Sequence, residues 1–193
     1  MKIAIIDYGA GNVKSVQFAL ERLGYSGFLT SGSQEIQSAD KVIFPGVGEA
    51  KTAMTALKKQ GLDKIIPQLR QPVLGICLGM QLMCEKSEEG NTSCMGIFPL
   101  ESKIFPKPLK IPHVGWNQIE SLKTGLFKAI DEKAFTYFVH SYFVPTSEFT
   151  IATSNYGFEF SAALSKNNFY ACQFHPEKSS STGEQILKNF LML

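Results

Sequence analysis

The stretch VLGICLGMQ, residues Val73–Gln81, joins an apolar run of strand length to a sharp turn and the start of a helix. Cys77 stands at the bend, and Gly75 and Gly79 flank it at minus two and plus two. This is the spacing of a nucleophile elbow, where a strained turn leaves no room for a Cβ atom on the neighbouring residues. The stretch therefore predicts a strand, a turn and a helix with Cys77 as nucleophile; the alternative is a buried structural cysteine. Cys84, seven residues later, is expected on the same helical face, as a packing residue.

Length and composition are those of an ordinary globular protein. The 193 residues suit one domain, so we expect a single domain over residues 1–193. The net charge of +2 gives no electrostatic reason to expect nucleic acid or a membrane as partner. The four cysteines lack paired metal-ligand spacing, so we expect reduced thiols and neither a metal nor another cofactor. Because the sequence contains no signal peptide and no apolar segment of membrane-spanning length, the expected compartment is the cytoplasm.

Two more predicted strands end in glycine-containing turns. The first leads into Asp7–Asn12 and a helix, but Lys14 stands where a dinucleotide-binding fingerprint needs its third glycine, which disfavours nucleotide binding. The second strand, Lys41–Phe44, leads into Pro45–Gly48 and a helix from about Ala50 to Gln60. Open α/β sheets bind ligands at the carboxyl ends of their strands, so N–H groups of the second turn are candidates to bind an oxyanion. The alternative is a tight strand-to-helix turn and nothing more.

From Glu101 onward the pattern changes to short β-rich runs, and the chain closes with a helix from about Thr182 to Leu191. The predicted strands are Lys103–Phe105, Trp116–Ile119, Phe135–Val139, Thr150–Thr153, Glu159–Leu164 and Phe169–Phe174. The last two form a hairpin. An α/β first half thus leads into a strand-rich second half, with no low-complexity linker between them.

A nucleophilic cysteine needs a base, and the chain has three histidines: His113, His140 and His175. His175 has the best setting, because it ends a predicted strand and Pro176 favours extended geometry, which lets Glu177 share its face. The carboxylate would then orient the imidazole, whose other nitrogen would meet the thiol. The alternative is a strand that ends at the surface. The other two histidines have no carboxylate nearby in sequence and are interpreted as structural.

These motifs resemble those of class I glutamine amidotransferases, whose triad-bearing domain releases ammonia from glutamine. Further motifs resemble the glutaminase subunits of imidazole glycerol phosphate synthase and are spread over nearly the whole chain: Asp7–Asn12, Pro45–Gly48, Pro112–Asn117, Phe138–Tyr142 and Gln173–Ser179. The resemblance implies a flavodoxin-like α/β fold with a mostly parallel central sheet and an added antiparallel part. It implies no cofactor.

The implied chemistry is hydrolysis of L-glutamine to glutamate and ammonia through a triad of Cys77, His175 and Glu177. The oxyanion donors are expected to be the N–H of Leu78 and one N–H of the Val47–Gly48 turn. The residues expected around the substrate are Gly46, Gly79, Gln81, Glu89, Ser141 and Tyr142.

The resemblance also implies a partner, a (β/α)8-barrel cyclase subunit of the HisF type that uses the ammonia in histidine biosynthesis. Asn12 and Trp116 are the candidate interface residues; for Trp116 the alternative is a core aromatic. Two other functions compete with this one. A related glutaminase could feed a different acceptor enzyme, as in surface-sugar biosynthesis, or the chain could be a regulatory binding module with a decayed site, which the intact triad disfavours.

Overall fold

The structure is a computed structural model that describes residues 1–9 and 12–193, so Ala10 and Gly11 of the first glycine turn lie outside the described residues. The first half alternates strands and helices: β1 Ile3–Ile6, α1 Val13–Arg22, β2 Gly27–Thr30, α2 Ser33–Ser38, β3 Lys41–Gly46, α3 Ala50–Lys59, α4 Leu62–Ile65, β4 Val73–Cys77 and α5 Leu78–Met83. The second half is mainly strands: β5 Cys84–Ser87, β6 Thr92–Ser93, β7 Phe98–Ile104, β8 His113–Ile119, β9 Ala134–His140, β10 Tyr142–Phe143, β11 Thr150–Asn155, β12 Glu159–Lys166, β13 Phe169–Cys172 and α6 Ser180–Met192.

The main sheet has seven strands in the order β11-β12-β13-β4-β3-β1-β2. The pairs from β13 to β2 are parallel, whereas β11, β12 and β13 pair antiparallel. The predicted fold, a mostly parallel sheet with an added antiparallel part, is confirmed. Cys77 ends the central strand β4, and the carboxyl ends of β3 and β13 lie on either side of it.

Helices cover both faces of this sheet. On one face, Leu20 of α1 and Phe190 of α6 pack against the sheet, and on the other face Met54 and Leu57 of α3 do so. Both faces of β1, β3 and β4 are therefore buried, which explains why these strands read as continuous apolar runs.

The remaining strands lie outside the main sheet. One sheet has the order β10-β7-β5-β6, and β8 and β9 form a separate two-stranded antiparallel hairpin. The hairpin lies against the segment that follows β13, because the N–H of His175 donates to the carbonyl oxygen of Tyr137 at 2.9 Å. None of the helices among the described residues is long and apolar enough to cross a membrane.

The structure corrects the predicted position of Cys84. Helix α5 ends at Met83, and Cys84 has extended backbone and begins β5, so it does not share a helical face with Cys77. Its packing role stands, because its side chain is fully buried. The edge strand β2 and the short helix α2 were not predicted. The sequence of β2 does not read as a buried run because two of its side chains, Phe28 and Leu29, are exposed.

Candidate active site

The turn at Cys77 has the strain expected of a nucleophile elbow. Cys77 has φ +53° and ψ −107°, a conformation that costs a side-chain-bearing residue about 1–3 kcal/mol. A Cβ atom on Gly79 would overlap the carbonyl oxygen of Phe44, and one on Gly75 would lie 2.9 Å from the sulfur of Met83. The two flanking glycines are therefore required by close packing, as the spacing predicts.

His175 and Glu177 form a buried pair just after β13. The Nδ1 atom of His175 lies 2.8 Å from Oε1 of Glu177, and each side chain is only 2% exposed. His175 has the predicted extended backbone, and the tight 3-10 turn Pro176–Lys178 brings the carboxylate back under the ring.

The other ring nitrogen of His175, Nε2, is left unpaired by the part of the chain that the structure describes. Nε2 is buried without a nitrogen or oxygen partner among the described residues, and His175 and Cys77 line the same cavity. Burial alone would lower the pKa of His175, but its interactions with the Cys77 sulfur and the Glu177 carboxylate outweigh burial and raise this pKa. The structure thus brings together the three residues of the predicted triad.

A hydrogen-bonded clamp holds His175 against β9. The hydroxyl of Ser179 donates to the carbonyl oxygen of His175 at 2.7 Å and accepts from the N–H of Tyr137 at 2.9 Å. Together with the bond from the N–H of His175 to Tyr137, three hydrogen bonds fix the base to the hairpin.

These residues surround a cavity of about 280 Å³, close to the lower end of the size range of small-molecule sites. Its lining is Val47, Gly48, Cys77, Leu78, Gln81, Glu89, Pro112, Val139, His140, Ser141, Tyr142 and His175. Most of the predicted oxyanion and substrate residues are therefore in one place.

Two predicted substrate residues, Gly46 and Gly79, adjoin Val47 and Leu78 of the lining in sequence. Gly46 and Gly79 do not belong to the cavity lining; they sit where β3 and α5 touch. A Cβ atom on Gly46 would lie 2.8 Å from the backbone nitrogen of Gly79. Both glycines are therefore explained by close packing of the strand against the helix.

The Val47–Gly48 turn and Leu78 lie beside the nucleophile, as predicted. Gly48 has φ +101°, a conformation that side-chain-bearing residues rarely adopt, and Val47 is partly exposed. Gly46 and Cys77 are paired in the parallel register of β3 and β4, so the turn begins directly next to the elbow.

Gln81 is held by two acceptors. Its Nε2 donates to the carbonyl oxygen of Tyr142 at 3.2 Å and to Oε1 of Gln173 at 3.1 Å. Both amide hydrogens are thus used within the protein, and the carboxamide oxygen is left to accept a hydrogen bond from a ligand in the cavity.

Glu89 adds a carboxylate to the same cavity. Its Oε2 accepts from the N–H of Ala50 at 2.7 Å. Burial raises its pKa, and the hydrogen bond from Ala50 acts in the opposite direction. The second carboxylate oxygen is available to a cationic ligand group.

Gln173 is a site residue that sequence reasoning missed. It is fully buried, and its Nε2 lies 3.7 Å from Sγ of Cys77 while its Oε1 accepts from Gln81. Sγ also lies 3.7 Å from the carbonyl oxygen of Val139. The available signal was a glutamine inside an apolar strand run, where an uncharged polar side chain must find buried partners.

The two candidate interface residues are accessible. Trp116 is 52% exposed and stands edge-on against Tyr137, its partner across the β8–β9 hairpin, so the core alternative is wrong. Asn12 is half-buried immediately before α1 and does not cap the helix through its side chain.

Comparison with known proteins identifies the family to which the chain belongs. A model of the family "Glutamine amidotransferase class-I" matches residues 4–193. The chain is 59% identical over 196 residues to the imidazole glycerol phosphate synthase subunit HisH of Bacteroides fragilis strain YCH46, covering 100% of both chains. It is 48% identical to the subunit of the same name from Haemophilus influenzae strain Rd, covering 99% of this chain and 97% of the other. A solved structure described as a glutamine amidotransferase has a similar fold, with a TM-score of 0.78, 15% identity and coverage of 100% and 98%.

Proposed function

Because the chain belongs to the class I glutamine amidotransferase family, we propose that it is the glutaminase subunit of an imidazole glycerol phosphate synthase. It hydrolyses L-glutamine to glutamate and ammonia. The observation that carries this proposal is the buried His175–Glu177 pair, whose free ring nitrogen shares a cavity with the strained Cys77. The names of both relatives favour this function over a glutaminase for surface-sugar biosynthesis.

Catalysis begins with a proton transfer from the thiol to His175, which the raised pKa of His175 favours. The thiolate of Cys77 attacks the side-chain amide carbon of glutamine. As the carbon–nitrogen bond breaks, Nε2–H of His175 gives its proton to the leaving ammonia. Water then transfers a proton to Nε2 and attacks the thioester, which releases glutamate and restores the thiolate. Glu177 holds the imidazole in orientation and stabilises the imidazolium.

Both steps place negative charge on the carbonyl oxygen of the substrate. The N–H of Leu78, the residue after the nucleophile, and an N–H of the Val47–Gly48 turn are the donors of our proposal. Their support is their place in the cavity lining beside Cys77.

The α-ammonium group of glutamine would be bound by the free carboxamide oxygen of Gln81 and by Glu89, because one is an acceptor and the other a carboxylate. Ser141 and Tyr142 lie next to each other in the lining and are proposed to contact the α-carboxylate. Glutamine would then lie with its amide end at the elbow.

The proposed partner is a HisF-type (β/α)8-barrel cyclase in a heterodimer, because ammonia must reach its acceptor before it is protonated in bulk water. The β8–β9 hairpin would carry part of this interface through Trp116, and Asn12 would add to it. The hairpin is suited to this role because its Tyr137 is bonded directly to the backbone of His175. The four free thiols are consistent with a cytoplasmic enzyme.

The experiment is to mix the purified chain with a HisF-type cyclase and the ribonucleotide substrate of that cyclase. Glutamine labelled with nitrogen-15 in the side-chain amide is added, and imidazole glycerol phosphate formation is measured. We expect the label in the imidazole product. Cyclisation with free ammonium salts but not with glutamine would contradict the proposal.

A further inference from the structure

Two histidines outside the triad face each other across the β8–β9 hairpin. His113 and His140 are paired residues of the two strands, and Nδ1 of His113 lies 3.0 Å from Nε2 of His140. Both rings are buried among aromatic side chains, with Tyr156 stacked on His113 at 4.1 Å between ring centres. His140 also lines the glutamine cavity.

The hydrogen bonds run in one direction. Nδ1 of His140 lies 2.7 Å from the carbonyl oxygen of Tyr142, which can only accept, so Nδ1 carries the proton. Nε2 of a neutral His140 must then accept from Nδ1–H of His113. Nε2 of His113 in turn accepts from the side-chain amide of Asn117 at 3.4 Å.

The surroundings keep both rings neutral. Burial lowers the pKa of His113 to about 4 and that of His140 to about 3. The hydrogen bond from His140 to Tyr142 opposes this shift, and the neighbouring His113 and His175 reinforce it.

The carbonyl of Tyr142 links this series of hydrogen bonds to Gln81. It accepts from His140 at 2.7 Å and from Nε2 of Gln81 at 3.2 Å. A reversed carboxamide would set the oxygen of Gln81 against both the Tyr142 carbonyl and Oε1 of Gln173. The fixed carbonyl therefore selects the rotamer in which the Gln81 oxygen is left for the cavity.

We propose that His140, held in its Nδ1–H form by His113, is a positioning residue for glutamine: it fixes the Tyr142 carbonyl and thereby the orientation of Gln81 toward the substrate's α-ammonium group. The inference rests on the proposed function, because it takes glutamine as the substrate. It assigns to a buried pair of uncharged histidines a role in substrate binding and none in proton transfer.

The first test compares His140→Phe, which keeps an aromatic ring but removes the donor, with His140→Asn, whose amide nitrogen occupies the place of Nδ1. In the complex with the cyclase, we expect His140→Phe to raise the KM for glutamine about tenfold with kcat changed less, and His140→Asn to recover most of the loss. Thr136→Val is the matched control, because Thr136 lies on the same strand, is fully buried and has an unpartnered hydroxyl.

The second test separates substrate positioning from thiol reactivity. His140→Phe should slow labelling of Cys77 by an electrophilic glutamine analogue about tenfold, while labelling by iodoacetamide, which has no α-ammonium group, stays near the wild-type rate. Nitrogen-15 NMR of the wild-type protein should show both rings protonated at Nδ1 and neutral at pH 7.

Three results would overturn the inference: an unchanged KM in His140→Phe, an equal slowing with both labels, or a wild-type His140 protonated at Nε2. If His140→Phe does not fold, the wild-type NMR spectrum still decides between the two ring forms. A wild-type complex that does not hydrolyse glutamine would contradict the proposed function itself. A KM for glutamine that is unchanged by His140→Phe would contradict only the role of His140.

Discussion

Two walls of the cavity are built by different means. The elbow wall, Cys77 and Leu78 with the Val47–Gly48 turn, is held by close packing between β3, β4 and α5. The hairpin wall, His140–Tyr142 with His175, is held by hydrogen bonds, and those from His175 to Tyr137 and from Gln81 to Tyr142 join segments far apart in the chain. Packed elements like those of the elbow wall resist small displacements. The nucleophile therefore sits on the rigid, close-packed wall, and the base sits on the hydrogen-bonded wall.

The largest effect is expected when the nucleophile of the elbow wall is replaced. Cys77→Ala should lower glutamine hydrolysis about 10⁵-fold or more and leave the free energy of unfolding nearly unchanged. An electrophilic glutamine analogue should label Cys77 in the wild type and spare Cys84, Cys94 and Cys172, whose thiol pKa values are raised, chiefly by burial. Peptide mapping checks the position of the label. Substantial glutamate release by the variant would remove Cys77 from its role.

The next largest effect concerns the base on the hairpin wall. His175→Ala should lose nearly as much activity as Cys77→Ala, and Glu177→Gln should lose roughly one to two orders of magnitude less, because the carboxylate orients the ring but does not transfer the proton. Steady-state glutaminase rates in the complex measure the ranking. Equal losses in two folded variants would contradict this division of roles.

The third prediction concerns a substitution that disrupts the packing of the elbow wall. Gly79→Ala should lower the free energy of unfolding by about 2–3 kcal/mol, because its Cβ meets the backbone oxygen of Phe44. Gly125→Ala is the control, since its Cβ meets only the end of the Leu193 side chain, at 3.3 Å. Urea denaturation compares the two variants. If Gly79→Ala were as stable as the control, the rigidity assigned to this wall would be wrong.

The smallest expected effect on the isolated chain is at the outer surface of the hairpin. Trp116→Ala should leave folding and Cys77 labelling intact but weaken cyclase binding about tenfold or more, or uncouple glutamine hydrolysis from cyclisation. Phe28→Ala is the control, because Phe28 is an exposed aromatic residue on the edge strand β2. Titration calorimetry measures the affinity. Unchanged affinity together with full glutamine-dependent turnover would exclude Trp116 from the interface.

The elbow wall could be predicted from sequence because its determinants are local. The strand, the turn and the two flanking glycines lie within a few residues, and so do His175 and Glu177. In the hairpin wall, Ser141 and Tyr142 were expected from the resemblance alone, and the contacts that hold this wall together could not be predicted. The contact between His113 and His140 depends on the register of two strands separated by a long loop, and Gln173 meets Cys77 only because β13 and β4 are neighbours in the sheet.

Gly46 and Gly79, which the resemblance places at the substrate, also have a structural reason to be glycine. Both lie in motifs that carry the chemistry, and a Cβ atom on either would meet backbone of the neighbouring element. A motif shows that a glycine is needed and does not show whether a ligand or a neighbouring strand needs it.

The three hydrogen bonds among Tyr137, His175 and Ser179 connect the general base to the β8–β9 hairpin. The general base is bonded to β9, and Ser141 and Tyr142 follow directly at the end of that strand, so the base and two proposed substrate-binding residues share one structural support. Tyr137 is also paired with Trp116 across the hairpin, so a path of two contacts leads from the proposed interface residue to the backbone of the base.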